Sequence, residues 1–258
     1  MLGDVSRGVE SKGLLEVNDY RSGFYERYHT AIGATGFLDS GHYETCARQF
    51  RGRWAHWLPV DKACRMLDIG CGCGEYIYFL RSLGYENVFG VDICKRELDL
   101  GRQKGIPNLI DANAMEYLDG KKESFDVISA FNFFEHLRKD EILQLLQLIH
   151  QSLKPGGRLL AVTPNGLSPF GGATRYWDFS HETGFTPASW RQIARITGFG
   201  EAHFEEYGPI PHSVRGKIRA ILWGFVRLGL KALSYIEVGG PRDASCVYTA
   251  DMKVIAFK

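Results

Sequence analysis

Long apolar runs are what this sequence lacks most plainly. No stretch approaches the roughly 20 residues needed to cross a bilayer, so an integral membrane protein is not expected. Nor does the chain lean to one sign of charge: 31 lysines and arginines against 30 aspartates and glutamates leave a formal net charge of +1. That balance argues against a protein built mainly to hold nucleic acid, and any basic function has to be local. Cysteine is sparse and scattered, with six in all. Two of them, Cys71 and Cys73, share one glycine-rich stretch but have no partners at zinc-site spacing, so both read as small loop residues. Free thiols suit a reducing compartment. No charged-then-apolar leader opens the sequence, and the expectation is a cytoplasmic protein, at most one held at the inner face of the membrane. A length of 258 residues is close to the limit for one hydrophobic core. One domain with appendages is therefore expected rather than two.

Glycine, by contrast, is plentiful, and its most informative cluster is Met66-Leu67-Asp68-Ile69-Gly70-Cys71-Gly72-Cys73-Gly74-Glu75-Tyr76. A short apolar run breaks into alternating glycines and then resumes with helical spacing, which reads as strand, loop and helix. Glycines at every second position open backbone angles closed to other residues and let a ligand approach the amide N–H groups. A dinucleotide fingerprint needs G-x-G-x-x-G. Here the spacing is G-x-G-x-G, and Asp68, two residues before the first glycine, would repel a pyrophosphate.

The neighbouring segments repeat the alternation of strand and helix. Residues 87–93 read as a second strand ending in the acid Asp92, and residues 108–111 as a third that leads into Ala112-Asn113-Ala114. A fourth strand over 124–131 is followed by Asn132-Phe133-Phe134-Glu135-His136. Then come a helix over 141–153, a Pro155-Gly156-Gly157 turn and a fifth strand over 158–163. A helix over 188–197 is expected to be capped by Thr186, with strands over 202–207 and 252–257 closing the order.

This succession, across roughly residues 60–205, resembles the class I S-adenosylmethionine (SAM) methyltransferases. The resemblance implies an α/β, Rossmann-like fold with a seven-stranded, mostly parallel sheet and an antiparallel last strand. It also implies SAM as cofactor. Asp68, Gly70, Cys71, Gly72 and Gly74 would form the cofactor loop, Asp92 would take the ribose hydroxyls with Ile93 beside it, and Asn113-Ala114 would be the adenine-binding turn. Asp111 competes for that last role, because the family usually has Asp-Ala where this chain has Asn113-Ala114. Phe131, ending the fourth strand, completes the set.

For an alcohol acceptor a base is needed, and His136 and His181 are the candidates, with Glu135 beside the first. Asn132-x-x-Glu135-His136 with a later His181 also resembles the metal site of small-RNA 2′-O-methyltransferases and the related site in ubiquinone-pathway O-methyltransferases. Asn stands where those have a first Glu, which weakens a divalent cation site, so a metal is not favoured. Tyr176-Trp177-Asp178-Phe179-Ser180-His181-Glu182 places aromatics among polar groups, as suits stacking on a sugar ring. It resembles methyltransferases of surface-polysaccharide pathways, which implies a glycan or lipid-linked glycan acceptor.

Residues 1–58 are expected to be a loose tail and a helical lid, with Tyr25, Tyr28 and His29 on one face of a helix from Asp19 and a second helix over 48–57. Residues 59–258 would form the SAM-binding domain, and 208–244 an insertion springing from its ligand edge. No Asp or Glu lies between Glu206 and Glu237. On a helical wheel Ile218, Ile221, Leu222, Phe225 and Ile236 cluster opposite Arg227 and Lys231. Residues 215–236 are therefore expected to touch a membrane surface, with a packing or dimer helix as the alternative.

Overall fold

All four residues of β1 (Met66–Ile69) are buried. A strand reaches that state only in the middle of a sheet covered on both faces. The computed structural model describes residues 41–258 and bears this out. The expected tail, and the helix carrying Tyr25, Tyr28 and His29, lie outside the described residues.

Around β1 stand β2 (Val88–Asp92), β3 (Leu109–Asp111), β4 (Phe125–Phe131), β5 (Leu153–Pro164), β6 (Ala202–Glu206) and β7 (Asp251–Phe257). Their order across the sheet is β3-β2-β1-β4-β5-β7-β6. The β1, β2, β3, β4 and β5 pairings are parallel, while β7 runs antiparallel to both β5 and β6. This is the doubly wound sheet with an antiparallel edge that the sequence led us to expect. Asp68 sits level with Gly90 on one side and Ser129 on the other, so the carboxyl ends of the three central strands open at one edge. Ligands bind at that edge in open α/β sheets.

Helices α1 (His42–Trp54), α2 (Glu75–Ser82), α3 (Lys95–Gln103), α4 (Ala114–Leu118), α5 (Lys139–Ser152), α6 (Gly171–Arg175), α7 (Pro187–Ile196) and α8 (Val214–Val238) complete the architecture. Side chains alternate across a strand, so Met66 points to one face and Leu67 and Ile69 to the other. The first face is packed by Trp54 of α1, Ile77 and Phe79 of α2 and Leu98 of α3. The opposite face receives Leu145 and Ile149 of α5 and Trp190 of α7. Trp190 is fully buried yet polar-satisfied, donating its indole N–H to Thr163 Oγ1 at 3.1 Å.

Local chemistry explains several boundaries. At α7, Thr186 Oγ1 accepts from Ser189 N at 3.2 Å and Pro187 occupies the first turn, as expected from the sequence. β5 begins earlier than expected, because Leu153 already pairs with Phe125 before an irregularity in register. α1 starts at His42 rather than at Arg48. The glycine pair at 171–172 begins α6.

Candidate active site

Gly70, Gly72 and Gly74 all adopt positive φ, +68°, +52° and +81°. A side chain at Gly70 would meet the Phe133 ring at 2.5 Å, whereas among the described residues one at Gly72 would find only the Glu97 carboxylate within 4 Å, at 3.6 Å. The first glycine is thus closed by packing, whereas among the described residues the second is left uncovered, so that a ligand can approach the backbone there. Asp92 holds this loop open: its two carboxylate oxygens accept from Gly72 N at 2.9 Å and Cys94 N at 2.7 Å. Ile93, apolar yet 58% exposed, stands beside it.

Beneath the loop, Asp68 is buried and accepts from Ser129 Oγ at 2.6 Å. Burial raises its carboxyl to about 7, against the pull of the Ser129 hydrogen bond. Ser129 was not singled out from the sequence. Its register opposite Asp68 is set by the pairing of β1 with β4 and carries no local sequence signal.

α1 closes over the loop. Tyr43 donates to the Cys73 carbonyl at 2.9 Å and His42 Nε2 meets Glu75 Oε1 at 3.0 Å. The Cys73 thiol in turn donates to Glu97 Oε2 at 2.6 Å. Both loop cysteines are buried and unbridged, and burial pushes their thiols well above the usual range. Phe131 is wedged between Trp54 and Phe50 of α1 and the edge of Tyr76. Asn113 caps α4, its side-chain oxygen accepting from Met115 N at 2.9 Å, with Ala114 buried behind it. This capping bond is local and was not anticipated for Asn113. Asp111 is exposed at the end of β3.

The second half of the site lies beyond β4 and β5. Phe134 packs edge-on against Trp190 at 5.1 Å, which pins the short turn that carries Glu135 and His136. Two backbone N–H groups, from Glu182 and Thr183, donate to the Glu135 carbonyl at 2.7 and 3.1 Å. These bonds stitch the loop carrying His181 onto that turn, and the two imidazoles meet at 4.9 Å between centroids. Ligand atoms of Glu135, His136 and His181 all lie within 4.8 Å of one another. The expected convergence of these three side chains is therefore observed.

Hydrogen bonding sets the proton positions. The Ser180 hydroxyl donates to Asp178 Oδ1 at 2.7 Å, so its oxygen must accept from His136 Nδ1, 2.8 Å away. The chain Asp178, Ser180, His136 was not read as a unit from the sequence, although all three lie in the motifs quoted. Burial, helped by His181, lowers His136 to about 4. His181 Nδ1 lies 3.2 Å from the Arg175 carbonyl, which can only accept, so Nδ1 carries the proton and Nε2 is the basic nitrogen. Glu135 is buried, its carboxyl raised to about 8 by burial, and its Oε2 has no hydrogen-bond partner among the described residues.

A cavity of about 500 Å³ lies at the same edge, lined among others by Arg53, Phe170, Tyr207, Arg219 and Asp251. Asp251 feels the His181 imidazole, although burial raises its carboxyl overall. Arg53 lies over the Tyr207 ring at 4.2 Å, and its buried Nε has no partner among the described residues. Neither arginine was named as a site residue from sequence, since nothing local distinguishes it from a surface cation.

Comparison with known proteins agrees with this geometry. Residues 67–161 match the family model described as a methyltransferase domain. Over 125 residues the chain is 32% identical to a ubiquinone biosynthesis O-methyltransferase of Ruegeria pomeroyi, covering 46% of this chain and 49% of that protein. It is 24% identical over 152 residues to a phosphoethanolamine N-methyltransferase of Plasmodium falciparum, covering 58% of this chain and 55% of that one. The chain spans about half the length of these relatives. A SAM-dependent methyltransferase structure from Archaeoglobus fulgidus superposes with a TM-score of 0.62 at 22% identity, covering 91% of this chain and all of that one. The glycine loop and the Glu135 turn both fall inside the stretch that matches the methyltransferase-domain model, and the sheet around them is that of the class I methyltransferases.

Proposed function

We propose that this chain is a SAM-dependent O-methyltransferase whose acceptor is a sugar hydroxyl of a glycan or lipid-linked glycan. The observation that carries the reading is the juxtaposition at one sheet edge of an open, positive-φ glycine loop and a paired histidine cluster. The loop fits the cofactor: Gly72 is left uncovered among the described residues, Asp92 lies where ribose hydroxyls need an acceptor, Ile93 offers an apolar surface and Asp68 a carboxyl for the ammonium group. SAM, when bound, supplies a methyl already activated on a sulfonium.

The chain's own part is to align the acceptor and take its proton. His181 Nε2 serves as base, because its Nδ1 proton is held by the Arg175 carbonyl. His136, kept neutral by burial, positions the acceptor side of the pocket with Asp178 and Ser180 behind it. An amine would need this base less than an alcohol does, which favours oxygen as the acceptor atom. Tyr176, Trp177 and Phe179 stand exposed around Asp178 and suit stacking on a sugar face. Arg53 and Arg219 in the adjoining cavity suit an acceptor that carries an acidic group.

Two observations support other readings. The relative named a ubiquinone biosynthesis O-methyltransferase favours a hydrophobic small molecule, such as a prenylated quinol, as acceptor. The buried Glu135 Oε2, without a hydrogen-bond partner among the described residues, fits together with two imidazoles a divalent cation that would lower the pKa of the acceptor hydroxyl.

Calorimetry with SAM and its demethylated product, on wild type and Asp92→Ala, tests the cofactor half. The variant loses the ribose acceptor and also the ties to Gly72 and Cys94, so binding should weaken by at least about 1.5–3 kcal/mol. Tight NADH binding with no SAM binding would overturn the proposal.

A further inference from the structure

α8 is mounted the wrong way round for a packing helix. Of its 25 residues only Ser234 is buried. The side turned to the protein body is the polar one: Trp223 donates to Glu206 Oε2 at 2.8 Å and Arg227 pairs with the same carboxylate at 3.6 Å. Farther along, Ser234 Oγ donates to the Gly240 carbonyl at 2.6 Å and accepts from Arg242 N at 3.0 Å. The opposite side carries Ile218, Ile221, Leu222, Phe225, Leu228 and Ile236, all exposed, with Phe225 at 70% and Ile236 at 83%. An amphipathic helix of a globular domain normally does the reverse, hiding its apolar stripe against the core.

The wheel expected from sequence holds, with Arg227 opposite the stripe, but that residue's charge is paired. Arg227 does not face outward as a free cation, because Glu206 holds it on the inner side. The exposed cations that border the apolar stripe are Arg215 and Lys217, in the first turn, while Arg219 turns toward the cavity shared with Arg53. No carboxylate lies between Glu206 and Glu237 to offset them.

We infer that α8 docks the protein onto an anionic bilayer surface, lying in the interface plane with its apolar stripe among the acyl chains. Charge complementarity selects this occupant. A second copy of the chain would bring the same cations to the interface, and the one acid of α8, Glu237, is already paired with Arg242, whereas anionic lipids offer both phosphates and hydrocarbon. No helix among the described residues is long and apolar enough to cross a membrane, so the geometry is one of lying on the surface. Arg215 and Lys217, long and flexible, reach back to the headgroups while the stripe sinks below them.

Co-sedimentation of the full chain with phosphatidylcholine vesicles, with and without about one third phosphatidylserine, tests this without any cofactor. Failure here therefore leaves the methyltransferase reading untouched, and the reverse also holds. Wild type should pellet with the anionic vesicles at low salt and be released as salt rises. Arg215→Glu/Lys217→Glu should lower the apparent affinity about tenfold or more. Ile221→Ser/Phe225→Ser should abolish pelleting, while both variants keep the wild-type thermal midpoint, since neither pair touches the core. Wild type that stays in the supernatant at low salt overturns the inference. So does an Ile221→Ser/Phe225→Ser variant that pellets as well as wild type, or one that merely converts a dimer to a monomer.

Discussion

In the mechanism proposed above the base is His181, whose Nδ1 proton is fixed by a carbonyl so that Nε2 is the basic nitrogen. Replacing it with alanine should lower turnover about 10²–10⁴-fold and leave SAM affinity nearly unchanged, readable by pairing a rate assay with calorimetry. If EDTA abolishes turnover and added Mg²⁺ restores it, the Glu135 cluster holds a cation and the general-base reading is displaced. Asp68 gives a different kind of test. With its carboxyl near 7 in the folded protein, a SAM ammonium has a full partner only above that pH. Affinity should therefore rise as pH increases through about 7, with proton release on binding below it, and Asp68→Asn should flatten the dependence. Stability runs in the opposite sense. Asp68 and Glu135, raised to about 7 and about 8, contribute stability that is complete below the ordinary carboxylate pKa near 4 and is lost as pH climbs through those folded values. His136, lowered to about 4, contributes stability that is present above about 6.5 and is lost as pH falls through 4. Thermal melts of the cofactor-free protein should accordingly peak on the acid side of neutrality, and Asp68→Asn should lift the alkaline limb.

Among the elements, α1 joins fold to function most closely. Trp54 is fully buried and stacks on Phe131 at 4.8 Å, so truncation to alanine should cost about 3–5 kcal/mol in denaturant unfolding and weaken SAM binding by loosening the cover over the glycine loop. At α7, Thr186→Ala removes an N-cap and should cost only about 0.5–2 kcal/mol, with no effect on binding. The contrast between these helices matches what could be read from sequence. α7 announced itself by Thr186-Pro187, and the strands by short apolar runs closing on Gly or Asp. α3 went unread because only Leu98 and Gly101 in it are buried, too little for a periodic signal. α6 is five residues long and starts in a glycine pair, where composition speaks for a turn. In α8 the stripe was plain, but its direction was not, since a sequence cannot say whether an apolar face looks toward a core or away from one. The same limit applies to the site. Asp92 and the three glycines were legible because a loop's chemistry is local, whereas Ser129 against Asp68 and Ser180 against His136 are contacts made across the sheet edge.

At the scale of the whole molecule, two bodies of packing flank one sheet, and the site lies where both reach the carboxyl edge: α1 and α2 from one face, the Phe134 turn pinned on Trp190 from the other. A change on either face is thus felt at the same ligand. The place of β7 in the strand order has a further consequence for how such a chain is made. β7 lies between β5 and β6, pairing along seven residues of the first and five of the second. During synthesis both of those strands leave the ribosome, followed by the water-exposed apolar stripe of α8, before the segment that joins them emerges from it. Until it arrives, two unpaired strand edges and a greasy helix coexist on one nascent chain, the combination that chaperones bind and that aggregates form from. Val254, Ile255 and Ala256, all buried, must then slide between strands already made. Production of this protein should accordingly be limited by the yield of that late insertion, and a nascent chain stalled before residue 251 should pull down holdase chaperones that one stalled some forty residues after position 258 releases.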